Sequence, residues 1–272
     1  MRLRTLATAL VLAIPAPVLA QEPVDSGPTG PTGDQARLIF SVTGGYAFGH
    51  SLWAVNGQPV IQDGFTDLLS LERNLTGTWT AGLAATYFRG PNLGFTVDAH
   101  LVDLRYEDSC RLLSNSGSEL NPQICQSIDG ETNSAMSAAL SAGVILRAAS
   151  RQVVSPYARL QVGGFFGNLN TTAVTGSYLT PSGEPSFVFV YPGGSNSQFT
   201  PTFAFGAGIT VPISRAYHFR LEGRASTFGL QVVDGATLAQ DVEPPTSTQY
   251  LTQFSLHAGI DLVLERKRGR RY

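Results

Sequence analysis

The sequence predicts an all-β fold, an eight-stranded antiparallel transmembrane β-barrel. Three observations carry that prediction. Apolar residues recur with period two along eight segments, no apolar run beyond residue 20 reaches the 18 or so residues of a membrane helix, and long connections alternate strictly with short ones. Composition fits the same class. The 272 residues are 14% charged and include 29 Gly, against roughly 25% charged and about 7% Gly in ordinary soluble domains. A formal charge of −2 and no Cys or His cluster exclude a basic nucleic-acid binder and a zinc module.

The amino terminus reads as a signal peptide over residues 1–20. Two arginines in Met1–Arg4 precede the apolar run Leu6–Ile14, and Val18-Leu19-Ala20 places small residues at a cleavage site. Residues 21–36 (QEPVDSGPTGPTGDQA) read as a flexible periplasmic leader, residues 37–265 as the barrel, and residues 266–272 (RKRGRRY) as a basic tail.

Each strand is justified by its alternation. In the first, Leu38, Phe40, Val42, Tyr46 and Phe48 interleave with Ile39, Ser41, Thr43, Gly45 and Ala47, giving one oily face and one small or polar face. The second pairs Trp79, Leu83 and Tyr87 with Thr78, Thr80 and Thr86, and the third pairs Leu93, Phe95, Val97 and Leu101 with Thr96, Asp98 and His100. Segments 134–147, 156–167, 199–211, 217–230 and 250–264 repeat the pattern. Their lengths approach the 9 to 11 residues of a tilted membrane strand.

The connections near 89–92, 149–154 and 214–216 are short, whereas 49–74, 107–132, 169–197 and 232–247 are long. An even strand count with this alternation sends every long loop to one side and both termini to the other. A β-sandwich has no reason to sort its loops so. Together with the signal peptide and the aromatic-bounded oily faces, this pattern resembles the small bacterial outer-membrane β-barrel proteins of the OmpA/OmpX and opacity-porin type, over residues 37–264. The resemblance implies a Gram-negative cell outer membrane, outer-membrane lipids including lipopolysaccharide as surroundings, and the barrel-insertion machinery as a partner. Two departures are that no peptidoglycan-binding segment follows, and that the last strand does not end the chain on an aromatic residue, so insertion signals would fall on Leu262 and Leu264 or on Tyr272.

Strand parity assigns the polar inner face. It carries Asp98, His100, Arg159, Gln161, His218, Arg220, Glu222, Arg224, Gln253, His257 and Asp261. Eight strands enclose only enough room for side chains, so these charges are expected to pair, with Asp98 and Asp261 neutralising the arginines around Glu222. A packed ion-pair plug is the preferred reading, and a narrow porin-like pore is the alternative.

The long loops hold twelve acids against Arg73 and Arg111, while the short turns hold Arg89, Arg147, Arg151 and Arg215 and no acid. An acidic outer rim and a basic inner rim follow, the latter suited to anionic lipid heads and the former to divalent cations bridging lipopolysaccharide. Cys110 and Cys125, the two cysteines, close a short loop and are expected to form a disulfide.

One weak catalytic constellation stands at the outer rim: His50 and Ser51 after the first strand, Asp108 and Ser109 after the third. Base, orienting acid and nucleophile would be the roles in a lipid-modifying enzyme, with Gly163, Gly164 and Pro201 as sites for a lateral slot. These pieces do not converge in the predicted order of strands. The sequence therefore predicts a non-enzymatic barrel with no cofactor and no metal, structural or surface-interacting in role.

Overall fold

The computed structural model describes residues 37–90, 92–148, 154–168, 171–193, 197–214 and 216–265. The predicted signal peptide, leader and basic tail lie outside these described residues, as do Arg151 and Arg215. In chain order the elements are β1 (Arg37–Ala47), β2 (His50–Gln62), β3 (Phe65–Leu75), β4 (Thr78–Phe88), β5 (Leu93–Leu112), α1 (Leu120–Ile128), β6 (Thr132–Arg147), β7 (Ser155–Asn168), β8 (Val174–Leu179), β9 (Pro185–Tyr191), β10 (Ser197–Pro212), β11 (Tyr217–Val233) and β12 (Thr246–Glu265).

Eight of these strands close a ring, β1-β4-β5-β6-β7-β10-β11-β12, with β12 returning to β1 from Arg37↔Glu265 to Ala47↔Ser255. Every neighbouring pair is antiparallel. Closure leaves the barrel wall no free edge, the condition for a sheet to satisfy its backbone in lipid. No described helix is long and apolar enough to cross a membrane.

The alternation places the two faces as their chemistry demands. Phe40, Val42, Leu83, Phe95, Leu140, Leu160, Phe203 and Phe254 point outward and are exposed, while Ser41, Thr80, Thr96, Ser141 and Gln161 point inward and are buried. Trp79 is 75% exposed on the outer face, with Tyr46 in edge contact at 5.6 Å between ring centroids. Phe166 and Phe199 form a similar pair on β7 and β10. Such aromatic pairs fit the interfacial girdle of a membrane band about 25 Å tall. The exposed oily belt is a lipid-facing surface.

The long connections are not irregular loops. The turn Asp63-Gly64, with φ of 52° and 80°, folds 50–75 into the β2–β3 hairpin, as an Asp-Gly pair between alternating segments favours. β5 runs on to Leu112, well past the expected Leu101, because its far half pairs with β3 on one side and β6 on the other. β12 likewise begins at Thr246 by pairing with the extended end of β11. α1 and the β8–β9 hairpin fill the second and third connections.

Close packing inside the wall requires glycine at two neighbouring lumen positions. A Cβ on Gly143 would lie 1.9 Å from the Leu160 carbonyl oxygen, and one on Gly163 would lie 2.0 Å from that of Leu140. Gly143→Leu is therefore expected to lower the unfolding free energy of the refolded barrel in urea by about 1–3 kcal/mol or to block its heat-modifiable gel form. Gly223→Ala, whose new Cβ meets nothing nearer than 3.9 Å, leaves both unchanged.

Candidate functional site

The lumen is filled in layers. At the short-turn end, Ile39, Phe88, Ile145, Tyr157 and Val263 form a small apolar cluster, with the Arg147 guanidinium 4.3 Å above the Phe88 ring. Above it lies a ring of ionised groups in which Arg159, Arg220 and Arg224 face Asp98, Glu222 and Asp261.

Glu222, 1% exposed, is the hub of that ring. Its carboxylate accepts from Arg159 Nε at 2.9 Å, Arg159 Nη2 at 2.5 Å and the Tyr157 hydroxyl at 2.6 Å, and Arg220 Nη1 stands 3.9 Å away. Arg159 spans two acids, since its Nη1 donates to Asp98 Oδ2 at 2.8 Å. Arg220 donates twice to Asp261 Oδ2, at 3.2 and 3.0 Å, and lies over the Tyr157 ring at 5.0 Å. Arg224 Nη1 is the loosest member, 3.5 Å from Asp98 Oδ1. Three guanidinium groups against three carboxylates leave the ring neutral, the condition under which buried charge is tolerated.

The histidines sit one level farther out. His100 Nε2 is 3.0 Å from Asp98 Oδ1 but is not aligned for a hydrogen bond, and its ring meets that of His257 edge-on at 5.1 Å. Ser255 Oγ is 2.8 Å from His257 Nε2. These groups border a cavity of ≈ 30 Å³, room for about two water molecules. Of the remaining predicted lumen residues, Gln161 and Gln253 are buried, whereas His218 is half-buried at the turn end, opposite Asp261 in register.

The cavity is roofed by Phe165 and Phe228, stacked at 4.6 Å, which begin a second and larger apolar core. Leu52, Trp53, Val55, Val60, Leu69 and Leu71 from the β2–β3 hairpin meet Ile124 and Ile128 of α1, Val188 and Val190 of β9, and Leu230 and Val232 of β11. The four long connections thus fold into one cap.

Polar bonds lock it. Arg73, 1% exposed, donates to both oxygens of Asp108 at 2.5 and 2.6 Å and to the Ala173 carbonyl at 2.6 Å, with the Tyr106 ring 4.2 Å from its guanidinium. Trp53 Nε1 donates to the Thr171 carbonyl, and Gln58 accepts from Thr237 N–H at 2.8 Å. Asp67 accepts from the Ser116 N–H at 2.6 Å and Asn121 Nδ2 at 2.8 Å, fastening the second connection to the first. Burial alone would raise the Asp67 carboxyl. Hydrogen bonds from Asn121, Ser116 and Ser114 outweigh that and hold it below its ordinary value of 3.8.

Two expectations change here. The outer rim is not simply acidic: Asp67 and Asp108 are buried and partnered within the cap, because a hairpin lies over the mouth instead of a solvated loop. The rim constellation does not assemble. His50 is exposed opposite Leu75, Ser109 stands opposite Glu72, and Asp108 is committed to Arg73. Nor is there a slot at Gly163, Gly164 and Pro201, since β7 and β10 pair without a break from Ser155↔Thr210 to Asn168↔Ser197. Cys110, on β5, and Cys125, on α1, are joined as a disulfide. Among the described residues no cluster of His, Cys, Asp and Glu is placed to hold a metal.

No protein-family model matches the sequence, and no curated protein does. Among solved structures the chain is similar to Neisserial surface protein A at 11% identity, covering 84% of this chain and 97% of that one, with a TM-score of 0.40. It is similar to OprG from Pseudomonas aeruginosa at 11% identity, over 83% and 95% of the two chains, with a TM-score of 0.39. For the outer membrane protein AlkL the figures are 15%, 90% and 98%, and 0.37. The closed ring of eight strands, the exposed oily belt and the one-sided long connections have the plan of a membrane-spanning β-barrel.

Two outcomes test the site. Glu222→Ala strands Arg159 and Arg220 beside a missing partner and is expected to cost about 3–5 kcal/mol in urea unfolding from lipid vesicles, with Glu222→Gln costing less. The Asp67 contribution is present above pH 3.8 and is lost as pH falls through its lowered value. Pepsin at pH 4 is therefore expected to spare the 113–119 segment of the wild type and to cut it in Asp67→Ala.

Proposed function

We propose that this protein is a sealed, non-enzymatic outer-membrane barrel whose folded cap serves as a rigid structural and contact surface on the outside of the cell. The observation that carries this is the closure of the lumen at two levels: an apolar cluster at the turn end beneath a neutral ion-pair ring, and an apolar roof under the cap. A conducting pore needs a continuous polar path, and the Phe165–Phe228 stack and the Phe88–Tyr157 layer interrupt it on both sides of the charges.

The belt supports contact with outer-membrane lipids, lipopolysaccharide in the outer leaflet included, and the closed barrel supports insertion through the barrel-insertion machinery as the route to the membrane. The non-enzymatic reading is supported by the separation of His50 from Asp108. Incubation with phospholipid and lipid A is expected to leave both unchanged.

The narrow-channel reading has one observation in its favour, the cavity bordered by His100, His257 and Arg224. Planar-bilayer recording separates the two. The wild type is expected to be electrically silent, and the double variant Phe165→Ala, Phe228→Ala, which opens the roof onto that cavity, to flicker. Large steady channels in the wild type would replace the sealed reading with the porin-like one.

A further inference from the structure

We propose that the groove between α1 and β8 is a binding site for neutral saccharides. The inference rests on the reading that the cap faces the outside of the cell. The groove is ≈ 280 Å³ and is lined by Gln123, Gln126, Ser177, Tyr178, Leu179 and Pro185. That size is at the small end of ligand sites, which run from about 300 Å³ upward, and suits one sugar ring with part of the next.

The chemistry of the lining selects the ligand. No charged side chain is among the lining residues, although the long connections carry twelve acids. A phosphate, a sulfated sugar or a basic peptide therefore finds no counter-charge there. What the groove offers is side-chain amides, hydroxyls and an aromatic ring. Amides present a donor and an acceptor side by side, the pairing that adjacent sugar hydroxyls match, and the face of a phenol packs against sugar C–H groups.

These groups are held before any ligand arrives. The Leu179 N–H donates to Gln123 Oε1 at 3.3 Å, leaving the Gln123 NH₂ as a donor in the groove, and the Ser177 N–H donates to Ser127 Oγ at 2.7 Å. α1 packs closely on β8, since a Cβ on Gly176 would lie 2.5 Å from Ile124 Cγ2, and the Cys110–Cys125 disulfide anchors the helix to β5. Tyr178 packs against the cap core. Gln126 is the exposed amide that a ligand can draw in. Fixed donors beneath an open mouth reduce the ordering cost that weakens most sugar binding.

The test uses the full chain refolded in lauryldimethylamine oxide, since a detergent with a sugar head would occupy the groove. Saturation-transfer NMR is run with lactose, maltose, cellobiose and N,N′-diacetylchitobiose, and with sucrose octasulfate as the charged comparison. Saturable binding of at least one neutral disaccharide is expected, weakened about tenfold or more in Gln126→Ala and again in Tyr178→Ala, which removes the ring face, with heat-modifiable migration confirming that both variants fold. The proposal is overturned if no neutral disaccharide binds, if only the sulfated sugar binds, or if neither substitution weakens binding. A second arm repeats the titration in vesicles containing smooth lipopolysaccharide. Loss of free-sugar binding there assigns the groove to the membrane's own saccharide chains, and unchanged binding assigns it to saccharides from outside. Bilayer silence is read separately, so a sealed barrel without sugar binding refutes only this inference.

Discussion

Closing a sheet with eight strands fixes an interior no wider than the side chains that fill it, and the rest of this molecule answers to that constraint. Any inward group must find its partner among other inward groups, in a lumen too narrow for bulk water. This is why Glu222 on β11 accepts from Tyr157 and Arg159 of β7, with Arg220 of its own strand 3.9 Å away. It is also why the central ring sets three guanidinium groups against three carboxylates, and why Gly143 and Gly163 stand where the backbones of β6 and β7 approach closely. Paired in this way, the ring's buried charge is neutral.

A second consequence concerns where the hydrophobic effect acts. Along the belt, oily side chains leave water for lipid, so they contribute no core to the barrel itself. Among the described residues the larger apolar core lies in the cap, where Trp53, Leu69, Ile124, Val190 and Val232 come together from four separate connections. The β2–β3 hairpin is its organiser. It reaches the second connection through Asp67 and Asn121, the third through Trp53 and Arg73, and the fourth through Gln58 and Thr237. The wall is thus held by backbone ladders and lumen ion pairs, and the cap by ordinary burial with a few enclosed polar bonds.

The wall was legible in the sequence because its signal is periodic. Alternation over ten or more residues defines a strand, and parity then sorts Asp98, Arg159, Glu222 and Asp261 onto one face without further information. The cap was less legible because its contacts are not periodic. Nothing near Asp67 announces Asn121, fifty-four residues away, and nothing near Arg73 announces that Asp108 will be its partner and not a base-orienting acid for His50. One local signal was available: Asp63-Gly64 between alternating residues marks a hairpin, and with it Leu69, Leu71 and Arg73 fall on one face of β3. Long-range polar pairs across folded loops carry no such mark.

If the lumen gives no passage, the barrel's contribution is to hold the cap at a fixed height above the membrane. A cap with an apolar core, a disulfide between β5 and α1 and a buried Arg73–Asp108 pair is a different object from a set of mobile loops. Mobile loops adapt to many partners and lose entropy each time they do, whereas a preformed surface binds fewer partners at a lower ordering cost. The groove along α1 has Gln123 and Ser127 already placed by the bonds that hold β8, so selectivity there comes from shape and hydrogen-bond pattern.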